Sequence, residues 1–219
     1  MRGMMGGRFT GGSNNDGIAA AESMAGREAG SVQLLAATKT RDVGEIMAAI
    51  GAGIHLIGEN RPQEVTVKAP GLTRLLSERG MSLGVIGEAG AFNGAAASGA
   101  ANGVGDSDST GASANAANHI PFHLIGQLQA NKIGKVLPVV NTIESVDSIE
   151  LAEKIARRAT MRGITVGVLL EVNESGEESK SGCAPSHAID LAQRIGAMGG
   201  LELQGLMTIG TKVDRKSVV

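Results

Sequence analysis

The sequence predicts an α/β fold of parallel strands and crossover helices, of the (β/α) TIM-type barrel class. Strand-like and helix-like segments alternate along the chain, which is typical of parallel strands joined by helical crossovers. The strand-like segments are nearly continuous apolar runs, as expected when both faces of a sheet are covered. They lie at residues 32–39, 54–60, 122–128, 139–145, 164–173 and 201–209. No Gly-x-Gly-x-x-Gly turn follows the first run, which favours a barrel over a dinucleotide-binding sheet.

Three segments between these runs carry helix signals. Asp42 precedes a stretch of helical periodicity and Glu45 follows it three residues later, which is the pattern of a capping box. Ser148 stands in the same position before a second periodic stretch. The third, beginning at Ser186, ends in glycines that suit a C-terminal cap. Its apolar positions are Ile189, Leu191, Ala192 and Ile195.

The domain organisation follows from composition. We expect a flexible N-terminal tail at residues 1–30 and one barrel domain at residues 31–219. Residues 84–118 are small, polar and rich in glycine, with almost nothing to bury, and we expect them to form a disordered insertion. A functional lid is the competing interpretation of this insertion, but its composition favours an inert linker.

Composition also excludes several classes of partner. The net charge is −2 and aromatic residues make up 1% of the 219 residues, which argues against binding to nucleic acid or to a membrane surface. The chain shows neither a secretory signal nor an apolar stretch of about 20 residues. Its single cysteine, Cys183, cannot form an internal disulfide, and its four histidines lack metal-ligand spacing. We therefore expect a cytoplasmic monomer without a metal.

Polar residues end several of the predicted strands, and Lys39 ends the first. In a (β/α) barrel this end of each strand faces the active site, where a lysine amine can attack an aldehyde. Convergent polar strand ends indicate a site for a small molecule. By position alone Lys39 is more typical of a solvated lysine, and His123 of a hydrogen-bonded core histidine.

Six motifs considered together narrow the interpretation. LLAATKT, HLIGENRPQE, FHLIGQLQANKIGKV, NTIESVDS, VLLEVNESGEESKSGC and LQGLMTI follow one another between Val32 and Ile209. In this order they resemble the pyridoxal phosphate homeostasis protein family. The resemblance implies a barrel similar to the N-terminal domain of alanine racemase. It also implies that pyridoxal 5'-phosphate (PLP) is held as a Schiff base on Lys39.

The same resemblance implies further site residues. Asn60, in the Gly58–Asn60 motif, and His123 would lie near the cofactor. Met207 would line its pocket, and Lys180 matches a loop lysine that could be a second docking point for PLP.

The family resemblance further implies a carrier or regulator in intracellular PLP (vitamin B6) homeostasis, without established catalytic turnover. Its partners would be PLP and apo PLP-dependent enzymes. A PLP-dependent racemase-like enzyme is an alternative. Such an enzyme needs a second acid or base, commonly a tyrosine, and the sequence contains no tyrosine.

Two departures from the family pattern concern the ends of the barrel. The region before the first strand is shortened and rich in glycine. After the sixth strand the sequence GTKVDRKSVV matches neither family segment that supplies strands seven and eight. We therefore expect an incomplete barrel of about six of eight strands. Because the last loops normally hold the phosphate, we also expect weak retention of PLP, and a non-binding remnant of the family is an alternative.

Overall fold

The structure, a computed structural model, describes residues 11–85, 118–177 and 180–210, and for residues 11–14 only the backbone. Six parallel strands form the main sheet and lie side by side in chain order. They are β1 Ala36–Ala37, β2 Ile57–Glu59, β5 Phe122–Leu124, β6 Thr142–Val146, β7 Val166–Glu171 and β8 Leu201–Met207. This sheet confirms the predicted α/β class and contains a strand within each of the six apolar runs.

A second sheet of two parallel strands was not predicted. It pairs β3 (Ser82–Leu83) with β4 (His119–Ile120), and Pro121 separates β4 from β5. Pro121 interrupts the strand because it has no N–H to donate to a sheet ladder. The two short strands flank the insertion predicted at residues 84–118, of which residues 86–117 lie outside the described residues.

Six α-helices accompany these strands in the described part of the chain. They are α1 Gly11–Met24, α2 Val43–Gly51, α3 Pro62–Ser77, α4 Ile133–Val136, α5 Ile149–Met161 and α6 Ala188–Gly196. The capping box of α2 is confirmed. Asp42 Oδ1 accepts from the Glu45 N–H at 2.8 Å, and Glu45 Oε2 accepts from the Asp42 N–H at 3.0 Å. Ser148 stands at the N-cap of α5, but its hydroxyl donates to Asp147 Oδ1 at 3.0 Å instead.

Helix α1 corrects part of the expected flexible tail. The run Ala19–Ala21 favours a helix, since alanine has the highest helix propensity. The buried carboxylate of Glu22 then ties the helix to the chain that leads into β1. It accepts from the backbone N–H of Gly30 at 2.9 Å and of Val32 at 2.6 Å. These two hydrogen bonds lower the pKa of Glu22.

A single apolar core joins the strands to the helices. Fully buried side chains of the sheet pack in one cluster with those of α2, α3 and α5: Ile57, Phe122, Leu124, Ile143 and Leu170 with Ile46, Val65, Leu72 and Ile155. In α6 the burial is partial, because only Ile195 of its four apolar positions is fully buried and Ile189 is 75% exposed.

The sheet remains open in the part of the chain that the structure describes. No described strand pairs with the outer edge of β1 or of β8. Along β8 only Leu201 is buried, and Glu202, Gln204 and Leu206 are exposed. The apolar runs predicted that both faces of the sheet are covered, and this prediction is wrong at β8. Within the described ranges, no helix is both long and apolar enough to cross a bilayer.

Candidate functional site

The carboxyl ends of the parallel strands meet at one edge of the sheet, and a cavity of about 820 Å³ lies there. Its walls come from residues that end or follow β2, β5, β6, β7 and β8. They include Asn60, Arg61, Gly126, Gln127, Lys132, Ser145, Glu171, Lys180, Ser181 and Met207. Parallel α/β sheets bind ligands at this edge, so this cavity is the candidate site.

The structure brings only two of the four expected cofactor residues onto this cavity. Asn60 and Met207 line it, whereas Lys39 and His123 are not among its lining residues. Lys39 is exposed on the turn that follows β1. Because Ala37 pairs with Gly58 in the register of β1 and β2, Lys39 and Asn60 occupy equivalent positions beyond the ends of these neighbouring strands.

A buried network beside Lys39 fixes the end of β1. The Lys68 ammonium, from α3, donates to Glu59 Oε2 at 2.6 Å and to the Thr38 carbonyl at 3.0 Å. The Thr38 hydroxyl donates to the same Glu59 oxygen at 2.9 Å. The Lys68 amine also contacts Glu64 Oε2 at 3.0 Å. Burial alone would lower the pKa of Lys68, but its hydrogen bonds to the two carboxylates raise it.

The turn that carries Lys39 is also conformationally strained. Thr40 has φ of 65°, the left-handed region that β-branched residues rarely adopt. Such backbone persists only where surrounding contacts over-determine it. Here the Thr38 carbonyl accepts from Lys68 on one side and from the Arg41 N–H, at 3.0 Å, on the other. Lys39 is thus held between an anchored residue and a strained one.

Two glycines let the ends of β2 and β5 approach each other. A Cβ on Gly58 would lie 2.7 Å from Leu35 Cδ2 and 2.8 Å from Ile125 Cγ2. A Cβ on Gly126 would overlap the carbonyl oxygen of Asn60. The Asn60 backbone N–H in turn donates to Glu59 Oε1 at 2.8 Å. Asn60 therefore has a fixed position at the cavity wall.

His123 pairs with an acid on the neighbouring strand. Its Nδ1 lies 2.7 Å from Glu144 Oε1, and both side chains are mostly buried. His123 also stands beside Gly58 in the register of β5 with β2. The contact with Glu144 therefore fixes the orientation of the His123 ring on the face of the sheet.

The far wall of the cavity is held by polar contacts. Gln127 hydrogen-bonds Ser181, and the Ser145 hydroxyl donates to the Gly126 carbonyl at 2.7 Å. Lys180 reaches the Gly210 carbonyl at 3.2 Å and Glu177 Oε1 at 3.1 Å. The loop lysine singled out from the sequence thus lines the cavity while its ammonium is already engaged.

Glu171 has an unusual place in this site. It ends β7, lines the cavity and is only 4% exposed, yet its Oε2 has no hydrogen-bond partner among the described residues. Burial, and secondly the charge of Asp147, raise the pKa of Glu171.

Among the described residues no group of three His, Cys, Asp or Glu side chains could hold a metal ion. Burial also raises the pKa of the Cys183 thiol, which makes it a poor nucleophile.

Glu64 and Lys68, which take part in the buried network, were not predicted from the sequence. Glu64 and Lys68 are four residues apart, a spacing typical of an exposed helical ion pair. Only the packing of α3 against the end of β2 shows that Lys68 turns inward to Glu59. Glu171 was noticed merely as one of several polar strand ends.

Comparison with protein families gives the class to which this fold and site belong. The family described as "Alanine racemase, N-terminal domain" matches residues 21–218, and the chain belongs to that family.

Several curated relatives carry the name "Pyridoxal phosphate homeostasis protein". The relative from Vibrio cholerae is 30% identical over 90% of this chain and 66% of its own length. The human relative is 30% identical over 82% of this chain and 53% of its own. That from Helicobacter pylori is 41% identical over 44% of this chain and 45% of its own. The chain thus spans about half to two thirds of these relatives. The resemblance inferred from the six motifs is confirmed.

Solved structures agree with the fold. A protein of unknown function from Bifidobacterium adolescentis is 65% identical, with a TM-score of 0.76 over 94% of this chain and 70% of that one. PipY from Synechococcus elongatus, solved with PLP bound, is 24% identical, with a TM-score of 0.59 over 90% of this chain and 72% of its own. At this identity, the likeness to PipY shows the fold alone.

Proposed function

We propose that this chain binds PLP as a Schiff base on Lys39 and serves in intracellular PLP homeostasis as a cytoplasmic, monomeric carrier. The observation that carries the proposal is the placement of Lys39. Its amine is exposed at the carboxyl edge of the sheet, on a turn anchored by Lys68 and Glu59. The names of the curated relatives and the PLP in the PipY structure support the choice of cofactor.

The residues around Lys39 fit this cofactor in three respects. PLP supplies an aldehyde, which condenses with a lysine amine. Asn60 and Met207 offer a polar and an apolar wall at the adjoining cavity. Arg61 and Lys132, also at that cavity, attract an anionic phosphate. These two cations would hold the phosphate.

The carrier role is favoured over a racemase-like enzyme. Racemisation requires a second acid or base on the opposite side of the substrate carbon, commonly a tyrosine. The sequence contains no tyrosine, and His123 is already paired with Glu144. Lys39 then holds the cofactor until an apo PLP-dependent enzyme takes it.

Trapping with borohydride tests the proposal. The purified protein is incubated with PLP, reduced, digested and analysed by mass spectrometry. Because PLP is in excess when borohydride is added, we expect one pyridoxyl group per chain, on Lys39, although unreduced PLP is expected to be retained weakly. The Lys39→Ala variant should lose it, while the exposed helical control Lys154→Ala should retain it. Equal labelling of Lys39→Ala would refute the assignment of the lysine, and the absence of any label would support a non-binding remnant of the family.

A further inference from the structure

The unpartnered carboxylate of Glu171 gives the cavity a recognition group that the proposed function does not use. An ionised carboxylate loses its hydration on burial and needs a cation or hydrogen-bond donors to compensate. Glu171 Oε2 finds neither within the described residues, although it is buried at the wall of an 820 Å³ cavity. A ligand that enters this cavity with a positively charged nitrogen would supply the missing partner.

The cations of the cavity indicate which charge the other end of such a ligand carries. Glu64 already pairs with Lys68, and Lys180 already pairs with Glu177. Of the cavity's cations, Arg61 and Lys132 form no ion pair among the residues that the structure describes. Among the described residues, the cavity therefore presents one acid and two bases that lie outside any ion pair. A ligand that complements both must itself carry both signs of charge.

We propose that this cavity binds a small α-amino acid, with its ammonium group on Glu171 and its carboxylate toward Lys132 and Arg61. The walls suit such a ligand, because the Gln127–Ser181 and Ser145–Gly126 hydrogen bonds fix them before it enters. Met207 and Ile209 add an apolar surface for its side chain. The inference concerns binding by the cofactor-free chain and does not depend on a Schiff base at Lys39.

A matched ligand series tests each charge separately. The cofactor-free protein is titrated in a calorimeter with L-norvaline, with pentanoate, which lacks the ammonium, and with butylamine, which lacks the carboxylate. We expect norvaline to bind at least about tenfold more tightly than either analogue, the effect of one charge-assisted hydrogen bond. Glu171→Gln should reduce the preference for norvaline over pentanoate to about threefold or less, and Lys132→Met should do the same for norvaline over butylamine.

Two controls make the result decisive. Glu174→Gln, an exposed acid close in sequence, should leave all three affinities unchanged. Lys154→Ala, at an exposed lysine of α5, should also leave all three affinities unchanged. Because the titration uses cofactor-free protein, failure of the PLP proposal would leave this inference standing. Equal affinities for norvaline and pentanoate, a preference that survives Glu171→Gln, or no saturable binding of norvaline would each overturn the inference.

Discussion

At the scale of single residues, the strand-end site depends on two buried carboxylates in opposite situations. Glu59 is fully buried, and both of its oxygens accept hydrogen bonds, from Asn60, Thr38 and Lys68. Glu171 is almost as deeply buried, but its Oε2 has no hydrogen-bond partner in the part of the chain that the structure describes. The first carboxylate stabilises the turn that carries Lys39, and the second costs folding free energy in exchange for a group that can bind a ligand.

The Glu59–Lys68 pair makes the first residue-scale prediction. Lys68→Met removes the cation and leaves the Glu59 carboxylate buried without it. Breaking a buried ion pair in this way costs about 3 kcal/mol. We expect urea unfolding at neutral pH to show a loss of this order. Lys154→Met, an exposed position in α5, is the control and should change the free energy of unfolding by less than about 0.5 kcal/mol. Equal losses in the two variants would mean that Lys68 is a solvated lysine.

Glu171 makes a prediction about pH. Its pKa is raised in the folded state above the ordinary value of 4.5, so the folded protein binds more protons than the unfolded chain. Stability from this group is therefore present below pH 4.5 and is lost as pH rises toward the folded pKa. Glu171→Gln should be more stable than the parent at neutral pH, with the difference vanishing below about pH 4.5. Urea unfolding across this range checks it, and a constant difference at every pH would contradict it.

At the scale of elements, two helix N-caps show which contacts can be predicted from the local sequence. Asp42 and Ser148 both stand at N-caps, as the sequence predicts. Asp42 forms its reciprocal bonds with Glu45, whereas the Ser148 hydroxyl turns to Asp147. The neighbouring acid offers serine a competing acceptor, and sequence spacing carries no information on which partner wins.

This contrast predicts different costs for the same type of substitution. Asp42→Ala removes a working cap and should lower the free energy of unfolding by about 1 kcal/mol. Ser148→Ala removes no cap bond and should cost less than half as much. Thermal and urea denaturation of the two variants provide the measurement. A larger loss for Ser148→Ala would show that its hydroxyl caps α5 in solution.

The elements also show which parts of the architecture were accessible from sequence. The six strands of the main sheet were predicted in order because apolar runs and helix signals are local. Helix α1 was missed because it is tied down by Glu22, which accepts hydrogen bonds from backbone groups eight and ten residues away. At the site, the family motifs predicted Asn60 and Met207 beside the cofactor. Lys68 was not found, since its partner Glu59 lies on another element.

At the scale of the whole molecule, the sheet is only partly covered at β8. Leu203 packs against the core, whereas Leu206, nearer the carboxyl end of the strand, is 61% exposed. In a closed barrel the inward face of every strand is packed with side chains. The described strands form no closed barrel, and the edges of β1 and β8 lack strand partners among the described residues. Unpaired parallel edges of this kind invite association with other chains, which short strands such as β1 limit.

Because β8 is only partly covered, truncation of two leucines on neighbouring strands should lower the free energy of unfolding by different amounts. Leu170, on β7, is fully buried, so Leu170→Ala should cost about 3 kcal/mol through lost burial and the cavity left behind. Leu206→Ala removes a side chain that is mostly in water and should cost less than about 0.5 kcal/mol. Urea unfolding at several protein concentrations distinguishes the possible explanations. A large loss for Leu206→Ala that grows with concentration would mean that a second copy covers the face of β8. A large loss that does not depend on concentration would mean that residues outside the described ranges cover it.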